Sequence, residues 1–320
     1  MLSLLNPYLW AVKLRNFLYQ KRVFKTCRPK SRVISVGNLS VGGTGKTPTV
    51  MEIAKFLTSK GFKVSILLRG YKRKSKGTLI VADYHHLLAD VERAGDEAYL
   101  YAKFLKKVPV VVSEDRCKGA QIIEKHFQPD VILLDDAFQH LRIQRDLDIV
   151  LLTPKDLKEK LLPFGRLREP LEVLKNRGDY CLFSKTTKPN KEVENFCQQL
   201  GKPFGYLQVV GYRLLTPSLE EIDFSTLKGL KVGIVSAVGD NRLFEQQMEK
   251  LAKQYGFLIV ERKFFPDHFD YRGVSLNTNL LWITTPKDLF KLEKQIKNLL
   301  AVDRIFQLPE NLKRQLKELF

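Results

Sequence analysis

Residues 33 to 50, VISVGNLSVGGTGKTPTV, constrain this chain more than any other stretch. The apolar run Val33-Ile34-Ser35-Val36 reads as a buried strand. It empties into a loop of small residues, Ser40-Val41-Gly42-Gly43-Thr44-Gly45, after which Lys46-Thr47 opens a helix. Strand, glycine loop, Lys-Thr and helix together make a phosphate cradle. Glycines let backbone N–H groups close around phosphate oxygens, and the helix N-terminus adds partial positive charge. Lys46 can reach β- and γ-phosphates, and the Thr47 hydroxyl can ligate Mg²⁺. Pro48 suits the first helical turn, where its missing N–H has no intrahelical partner to lose. The usual pattern G-x-x-x-x-G-K-[ST] has glycine where this chain has Ser40. The flanking strand and helix keep the reading, because a plain strand–helix turn has no need for Lys-Thr.

A chain of 320 residues has room for two domains, and 44% hydrophobic residues supply ample core. Its charge is lopsided. From Met1 to Ala82 there are seventeen Lys and Arg and a single acid, Glu52, so +16 of the net +19 lies in the first quarter. Such a field implies an anionic partner: a phosphorylated ligand, an acidic membrane surface or nucleic acid. The four cysteines, Cys27, Cys117, Cys181 and Cys197, are widely spaced with no C-x-x-C, and read as free thiols in a reducing cytosol.

Residues 1–26 are expected to form an amphipathic membrane-contact helix. Tyr8, Leu9, Val12, Leu14, Phe17 and Leu18 recur at roughly helical spacing, with Lys13, Arg15, Lys21, Arg22 and Lys25 as cations and Trp10 and Tyr19 as interfacial anchors. No run in it reaches the ~18 unbroken apolar residues of a spanning helix, and it is a poor signal peptide. A helix packed on its own domain is the alternative.

From Val33 onward strand and helix patterns alternate. Strands are expected at 33–37, 63–68, 109–113, 131–135 and 148–152, and helices at 46–59, 96–106, 116–126 and 155–161. Nearly all-apolar strands in a βαβα rhythm argue for a parallel sheet covered on both faces, with ligands at the carboxyl ends of its strands. Periodicity softens between 201 and 228. The domains assigned are 27–203, a linker at 204–227 and a smaller α/β domain at 228–320. The last holds strands at 231–238, 256–261 and 280–284 and helices at 240–254 and 309–319.

Several candidate groups fall at the ligand edge. Arg69 closes the second strand and begins a basic loop, RGYKRKSKG. Asp96 and Glu97 start a helix, where acids complement the helix dipole but could also meet a metal or a hydroxyl. VILLDD places Asp135 and Asp136 at the end of an apolar strand, in the form of a Walker B element, and Gln139 and His140 follow. Arg116, Arg166 and Arg168 are further possible phosphate contacts. His268 lies between two carboxylates in FPDHFD and has the makings of an acid–base partner.

Taken together, ISVGNLSVGGTGKTP, LLRGYKRKSKG, AGDEAYL, SEDR, LDDAFQH, LPFGRLREP, VSAVGDN, FPDHFDY and ITTPKD resemble the tetraacyldisaccharide 4'-kinases, the lipid A pathway kinases of Gram-negative bacteria. The segments span nearly the whole chain in family order. The resemblance implies an α/β fold: a P-loop NTPase domain with a parallel sheet plus a second, smaller α/β domain. It implies transfer of the γ-phosphate of ATP to the 4'-hydroxyl of an acylated glucosamine disaccharide 1-phosphate, giving lipid IVA. Ser40 matches the family's own departure from the standard loop. By the same resemblance Ser40 through Thr47 bind ATP phosphates, with Thr47, Asp135, Asp136 and Glu97 around Mg²⁺. Lys46, Asp136, Asp96 and His268 are implied as catalytic, the last two as a dyad, and Arg69, Arg116, Gln139, His140 and Arg168 as substrate contacts. A peripheral monomer on the anionic cytoplasmic face of the inner membrane, with no nucleic-acid partner, completes the expectation.

The competing reading is a membrane-associated switch ATPase of the partition type. Such proteins usually carry an extra lysine early in the loop, where this chain has Val41. No RNA-binding, zinc or helix-turn-helix signature supports nucleic acid.

Overall fold

The computed structural model describes residues 6–186 and 189–320. Two compact units divide the chain: residues 1–208 with 306–320, and residues 209–305.

The first unit opens with α1 (Pro7–Gln20), capped by the Asn6 side chain, which accepts from Tyr8 and Leu9 N–H. Next come β1 (Arg32–Asn38), α2 (Lys46–Ser59), β2 (Val64–Leu68), β3 (Leu79–Ala82), α3 (Val91–Ala94) and α4 (Asp96–Phe104). They are followed by β4 (Val110–Val112), α5 (Arg116–Phe127), β5 (Val131–Asp135), β6 (Leu147–Leu152), β7 (Tyr180–Phe183), α6 (Lys191–Leu200) and β8 (Phe204–Tyr206). The eight strands form one sheet in the order β3-β4-β2-β5-β1-β6-β7-β8. Its strands are parallel except β3, which runs antiparallel to β4. Every residue of β2, β4, β5 and β7 is buried, as strands covered on both faces must be. The expected P-loop NTPase architecture is therefore present.

The strand order fixes the site. β1 lies between β5 and β6, so the chain leaving β1 must cross β5 to reach β2. Such a reversal of strand order opens a crevice at the carboxyl ends of β1 and β5. Their register pairs Val36 with Asp135. Gly37 follows, and it has to be glycine. A Cβ there would stand 2.5 Å from Phe138 Cβ and 2.7 Å from Phe138 N, inside the loop that leaves β5.

The second unit comprises β9 (Gln208–Leu215), β10 (Glu221–Ile222), β11 (Lys231–Ser236), α7 (Asn241–Tyr255), β12 (Leu258–Phe264), β13 (Leu281–Thr284), α8 (Pro286–Leu292) and β14 (Leu299–Gln307). Its sheet has the order β10-β9-β14-β13-β11-β12. Its core gathers Val232, Ile234, Phe244, Met248, Leu251 and Ile283.

Several sequence expectations need correction. The stretch 204–227 is not a linker but carries β8 and β10, each at the edge of its sheet, and β9, which lies between β10 and β14. The second unit begins at 209, not 228, and ends at 305. The final helix, α9 (Glu310–Lys317), belongs to the first unit, where Asn311 accepts from Tyr180 Oη at 2.6 Å and donates to the Phe204 carbonyl at 2.8 Å. The helix expected at 155–161 is a 3-10 turn over Pro154–Lys158, closed by a Thr153–Asp156 capping box. α1 covers less than the expected 1–26, and residues 1–5 of that span lie outside the described residues. The cysteines are not all free: Cys27 and Cys117 form a disulfide with Cα atoms 5.9 Å apart, and only topology brings together residues 90 positions apart. Cys181 and Cys197 remain buried thiols.

Two outcomes follow from this packing. Thiol titration of the unfolded, unreduced chain gives two reactive groups, rising to four after reduction. Four without reductant would contradict the Cys27–Cys117 bond. Gly37→Ala costs about 1–3 kcal/mol in urea unfolding, the usual range for overpacking a tight contact. A wild-type midpoint would show that the Phe138 loop has room to retreat.

Candidate active site

The loop from Ser40 to Gly45 is held from beneath. Val41 and Arg166 meet twice, Val41 N donating to the Arg166 carbonyl at 2.8 Å and the Arg166 side chain donating Nη2 to Val41 O at 2.6 Å. Ser184 Oγ donates to Thr44 O at 2.6 Å. Ser40 and Thr44 are buried, while Val41, Gly42 and Gly43 face solvent. Gly45 caps α2 in the left-handed region (φ 89°), which glycine adopts without strain. No side chain caps α2, so its first N–H groups point outward as an anion site.

Lys46, the first residue of α2, directs its ammonium to two oxygens, Asn38 Oδ1 at 3.2 Å and Asp136 Oδ1 at 3.6 Å. Arg168 Nη2 meets the same two atoms, lying 2.9 Å from Asp136 Oδ1 and in contact with Asn38 Oδ1. Asn38 donates Nδ2 to Ser40 O at 2.7 Å, and its carbonyl accepts from Gln139 Nε2 at 2.9 Å. Phosphate loop, Walker B loop and Arg168 thus meet on one asparagine. Asp136 turns the chain sharply after β5 in the left-handed region (φ 49°), a conformation Asp tolerates better than most residues. Burial raises its pKa, but Lys46 and then Arg168 outweigh that and hold the carboxylate below its ordinary range.

Asp135 is buried at the end of β5 and behaves oppositely. Burial raises its pKa to about 6, against the pull of Lys46. Tyr101 donates its hydroxyl to Asp135 Oδ2 at 2.8 Å, and burial followed by the Asp135 charge keeps that phenol protonated. Asp135 Oδ1 is buried with no hydrogen-bond partner. Glu97 adds its charge to Asp135, and the Thr47 hydroxyl interacts with Tyr101.

These groups fit Mg²⁺ as phosphotransferases use it. Among the described residues no three His, Cys, Asp or Glu side chains converge into a metal cage. Mg²⁺ needs no such cage, since it keeps several waters and takes one or two protein oxygens together with phosphate. The unpartnered Asp135 Oδ1, with Thr47 close to its Tyr101 partner, is a donor set of that kind.

Around the acids stand cations. Arg116, first residue of α5, is almost wholly buried, donates Nη1 to Ser113 O at 3.0 Å and has its pKa lowered to about 10 by burial, with Asp135, Asp136 and exposed Arg69 acting on it. His140 is lowered to about 4 by burial and then by Arg116 and Arg145, so it is neutral at pH 7. Asp96 and Glu97 form the first turn of α4, half-buried, behind Gly95.

Every site residue expected before position 209 lies in the first unit; His268 lies in the second. There it occupies a left-handed position (φ 61°) beside Lys287, whose Nζ is 3.1 Å from His268 Nε2 and 2.8 Å from Asp267 Oδ1. Sequence reasoning passed over Asn38, Tyr101, Glu169 and Arg177. Asn38 and Glu169 fall within the quoted motifs, but nothing in their spacing announces a role.

Comparison with known proteins gives a consistent result. The family model described as Tetraacyldisaccharide-1-P 4'-kinase matches residues 1–320. A tetraacyldisaccharide 4'-kinase of Aquifex aeolicus (strain VF5) is 46% identical over 282 residues, 88% of this chain and 86% of that protein. One from Chlorobium phaeovibrioides is 35% identical, covering 90% of this chain and 85% of the relative. The crystal structure of the "apo" form of LpxK from Aquifex aeolicus in complex with ATP superposes with a TM-score of 0.82 at 43% identity, covering 98% of this chain and 96% of that one. By sequence and by fold, the chain belongs to the tetraacyldisaccharide-1-phosphate 4'-kinase family.

Proposed function

We propose that this chain phosphorylates the 4'-hydroxyl of a tetraacylated glucosamine disaccharide 1-phosphate at the expense of ATP, the step of lipid A biosynthesis that yields lipid IVA. Family membership supports the activity. The observation that carries it to particular atoms is the pair of contacts from Lys46 to Asn38 and Asp136, one residue beyond the buried Asp135. A loop lysine held beside a Walker B carboxylate, on adjacent parallel strands, is the arrangement phosphoryl transfer needs.

Phosphoryl transfer asks a protein mainly for position and charge neutralisation. The α2 N-terminus and the Ser40–Thr47 backbone hold β- and γ-phosphate oxygens, and Lys46 exchanges Asp136 for the γ-phosphate. When bound, Mg²⁺ would neutralise phosphate charge; Thr47 and Asp135 would hold it, with Glu97 and Asp136 supporting them. Arg69, Arg116, Gln139, His140 and Arg168 receive the sugar phosphate and the transferring group. Asp96 accepts the proton of the attacking hydroxyl. An unperturbed aspartate is a weak base for that task, with a pKa of ~3.9; the family resemblance gives His268 an acid–base role as well.

The lipid is met at a membrane surface. Trp10, Leu14 and Phe17 stand exposed along one face of α1, flanked by Lys13, with Lys21 just beyond the helix. Aromatic and basic groups on one face favour an anionic interface. Among the described residues no helix is long and apolar enough to cross a membrane. The exposed face supports a peripheral membrane contact, and the reading we propose is a monomer on the cytoplasmic face of the inner membrane.

Incubation with labelled ATP, Mg²⁺ and the disaccharide monophosphate gives a bisphosphorylated lipid, and Lys46→Ala lowers its formation about a hundredfold or more. ATP hydrolysis unaffected by the lipid, with no labelled lipid formed, would favour the partition-type switch instead. A second test uses metal-free protein. Asp135 has a folded pKa raised above its unfolded value, so its contribution favours folding at acid pH and is lost as pH rises through about 6. From pH 7 to pH 4 the stability of wild type relative to Asp135→Asn therefore rises by about 2–3 kcal/mol. A difference independent of pH would mean that Asp135 is not a desolvated carboxylate.

A further inference from the structure

We propose that α1 is a positioning element of the phosphate site, acting through its inward face, with Glu169 as the buried junction. The inference rests on the kinase reading above but concerns a face of α1 that cannot touch a bilayer.

The helix is divided lengthwise. Trp10, Lys13, Leu14 and Phe17 point out, whereas Tyr8, Val12, Arg15 and Asn16 are partly or fully buried against the first unit. These two sets are the opposite stripes expected of a 3.6-residue period. The inward stripe is unusually polar. Tyr8 Oη donates to Arg168 O at 2.9 Å, and Asn6, the cap, donates Nδ2 to Leu162 O at 2.9 Å. Asn16 Nδ2 donates to Glu169 Oε2 at 2.9 Å, and Arg15 Nη2 lies 3.2 Å from Glu169 Oε1.

Glu169 is wholly buried (0% exposed), which makes its charge expensive. A buried ion pair adds little net stability over an apolar contact of the same volume, so stability alone does not explain the carboxylate. Its third partner does. Arg177 Nη1 donates to Glu169 Oε2 at 2.8 Å, packs its guanidinium 4.2 Å from the centre of the Phe138 ring and donates Nη2 to Phe138 O. Phe138 belongs to the loop that carries Asp136 and Gln139. One carboxylate therefore ties α1 to the Walker B loop.

Its neighbour completes the link. Arg168 is pinned on both backbone sides, its N donating to Leu39 O at 2.6 Å and its O accepting from Tyr8. Its guanidinium shares Asn38 Oδ1 and Asp136 Oδ1 with Lys46. Lys46 can leave Asp136 for a phosphate at low cost only while another cation remains on that carboxylate. Arg168 is that cation, and α1 sets its backbone. Loosening the inward face therefore strands Lys46 on Asp136 and weakens nucleotide binding and turnover, even where the lipid still binds.

The full-length chain tests this with Tyr8→Phe, Asn16→Ala, the double variant and Glu169→Gln, beside Trp10→Ala on the outward face. ATP affinity is read without lipid by equilibrium dialysis, kcat and KM in mixed micelles, membrane binding by sedimentation with phosphatidylglycerol vesicles, and stability by thermal unfolding. Loss of one neutral hydrogen bond is worth about two- to tenfold, and loss of one to a charged group about tenfold or more. The double variant is expected to lose about tenfold in ATP affinity and kcat, with vesicle binding and midpoint near wild type. Trp10→Ala is expected to lose vesicle binding and raise the lipid KM while keeping ATP affinity. Wild-type ATP affinity and kcat in the double variant, or losses that merely track vesicle binding, would overturn the proposal. Should Glu169→Gln or the double variant misfold, Tyr8→Phe, which removes one oxygen without altering packing, decides alone. Should wild type phosphorylate no lipid, the activity reading fails while the dialysis still judges this one.

Discussion

The pairing of β1 with β5 is the constraint from which the site follows. Parallel register sets Val36 against Asp135, and both chains then turn out of the sheet on the same edge. Because β2 lies on the far side of β5, neither turn is crowded by the next strand. The two loops are close enough that Gly37 cannot bear a side chain against Phe138. Asn38, the last residue of β1, then reaches Lys46, Arg168 and Gln139 together. A shift of one residue would point the Asp135 side chain to the other face of the sheet and break this meeting.

Electrostatically the site is held away from where its groups would rest in water. Burial depresses Arg116 to about 10 and His140 to about 4, while it lifts Asp135 to about 6. Each shift records a desolvation cost met during folding rather than at the moment of reaction. That is the condition under which fixed charges stabilise a transition state cheaply. The basic first quarter of the chain acts at longer range. Its +16 is a field that favours anionic partners, whereas the local acids decide where the cations point.

How legible this was depended on whether the signal was local. The glycine loop, Lys46-Thr47, the strand ending in Asp135-Asp136 and the helix opening at Asp96 are contiguous patterns, and the elements built on them lie within a residue or two of expectation. Cys27 and Cys117 could not be paired, because 90 residues separate them and only the return of α5 beside the segment before β1 joins them. The stretch 204–227 misled for another reason. β8 is an edge strand with Gly205, and β9 is exposed over its first half and carries Gly211, so both lack the apolar density of β2 or β5. α9 carries a clear helical pattern, but no local feature says that the chain returns to the first unit after 305. Asn38, Glu169 and Arg177 were invisible as participants, since what matters is whom they touch.

The same argument bears on how α1 should be read. From sequence its apolar and basic residues form one broad amphipathic pattern that suits either a bilayer or a domain surface. Packing divides that pattern by face. Tyr8, Arg15 and Asn16, which reach Arg168 and Glu169, face inward, and Trp10, Lys13, Leu14 and Phe17 face solvent. A helix bound only to lipid would have no reason to send Arg15 and Asn16 toward a carboxylate with no exposed surface. A helix serving only as core would not leave Trp10, Leu14 and Phe17 uncovered. Two stripes on one cylinder give a short helix one face fastened to Arg168 and Glu169 and another left to solvent.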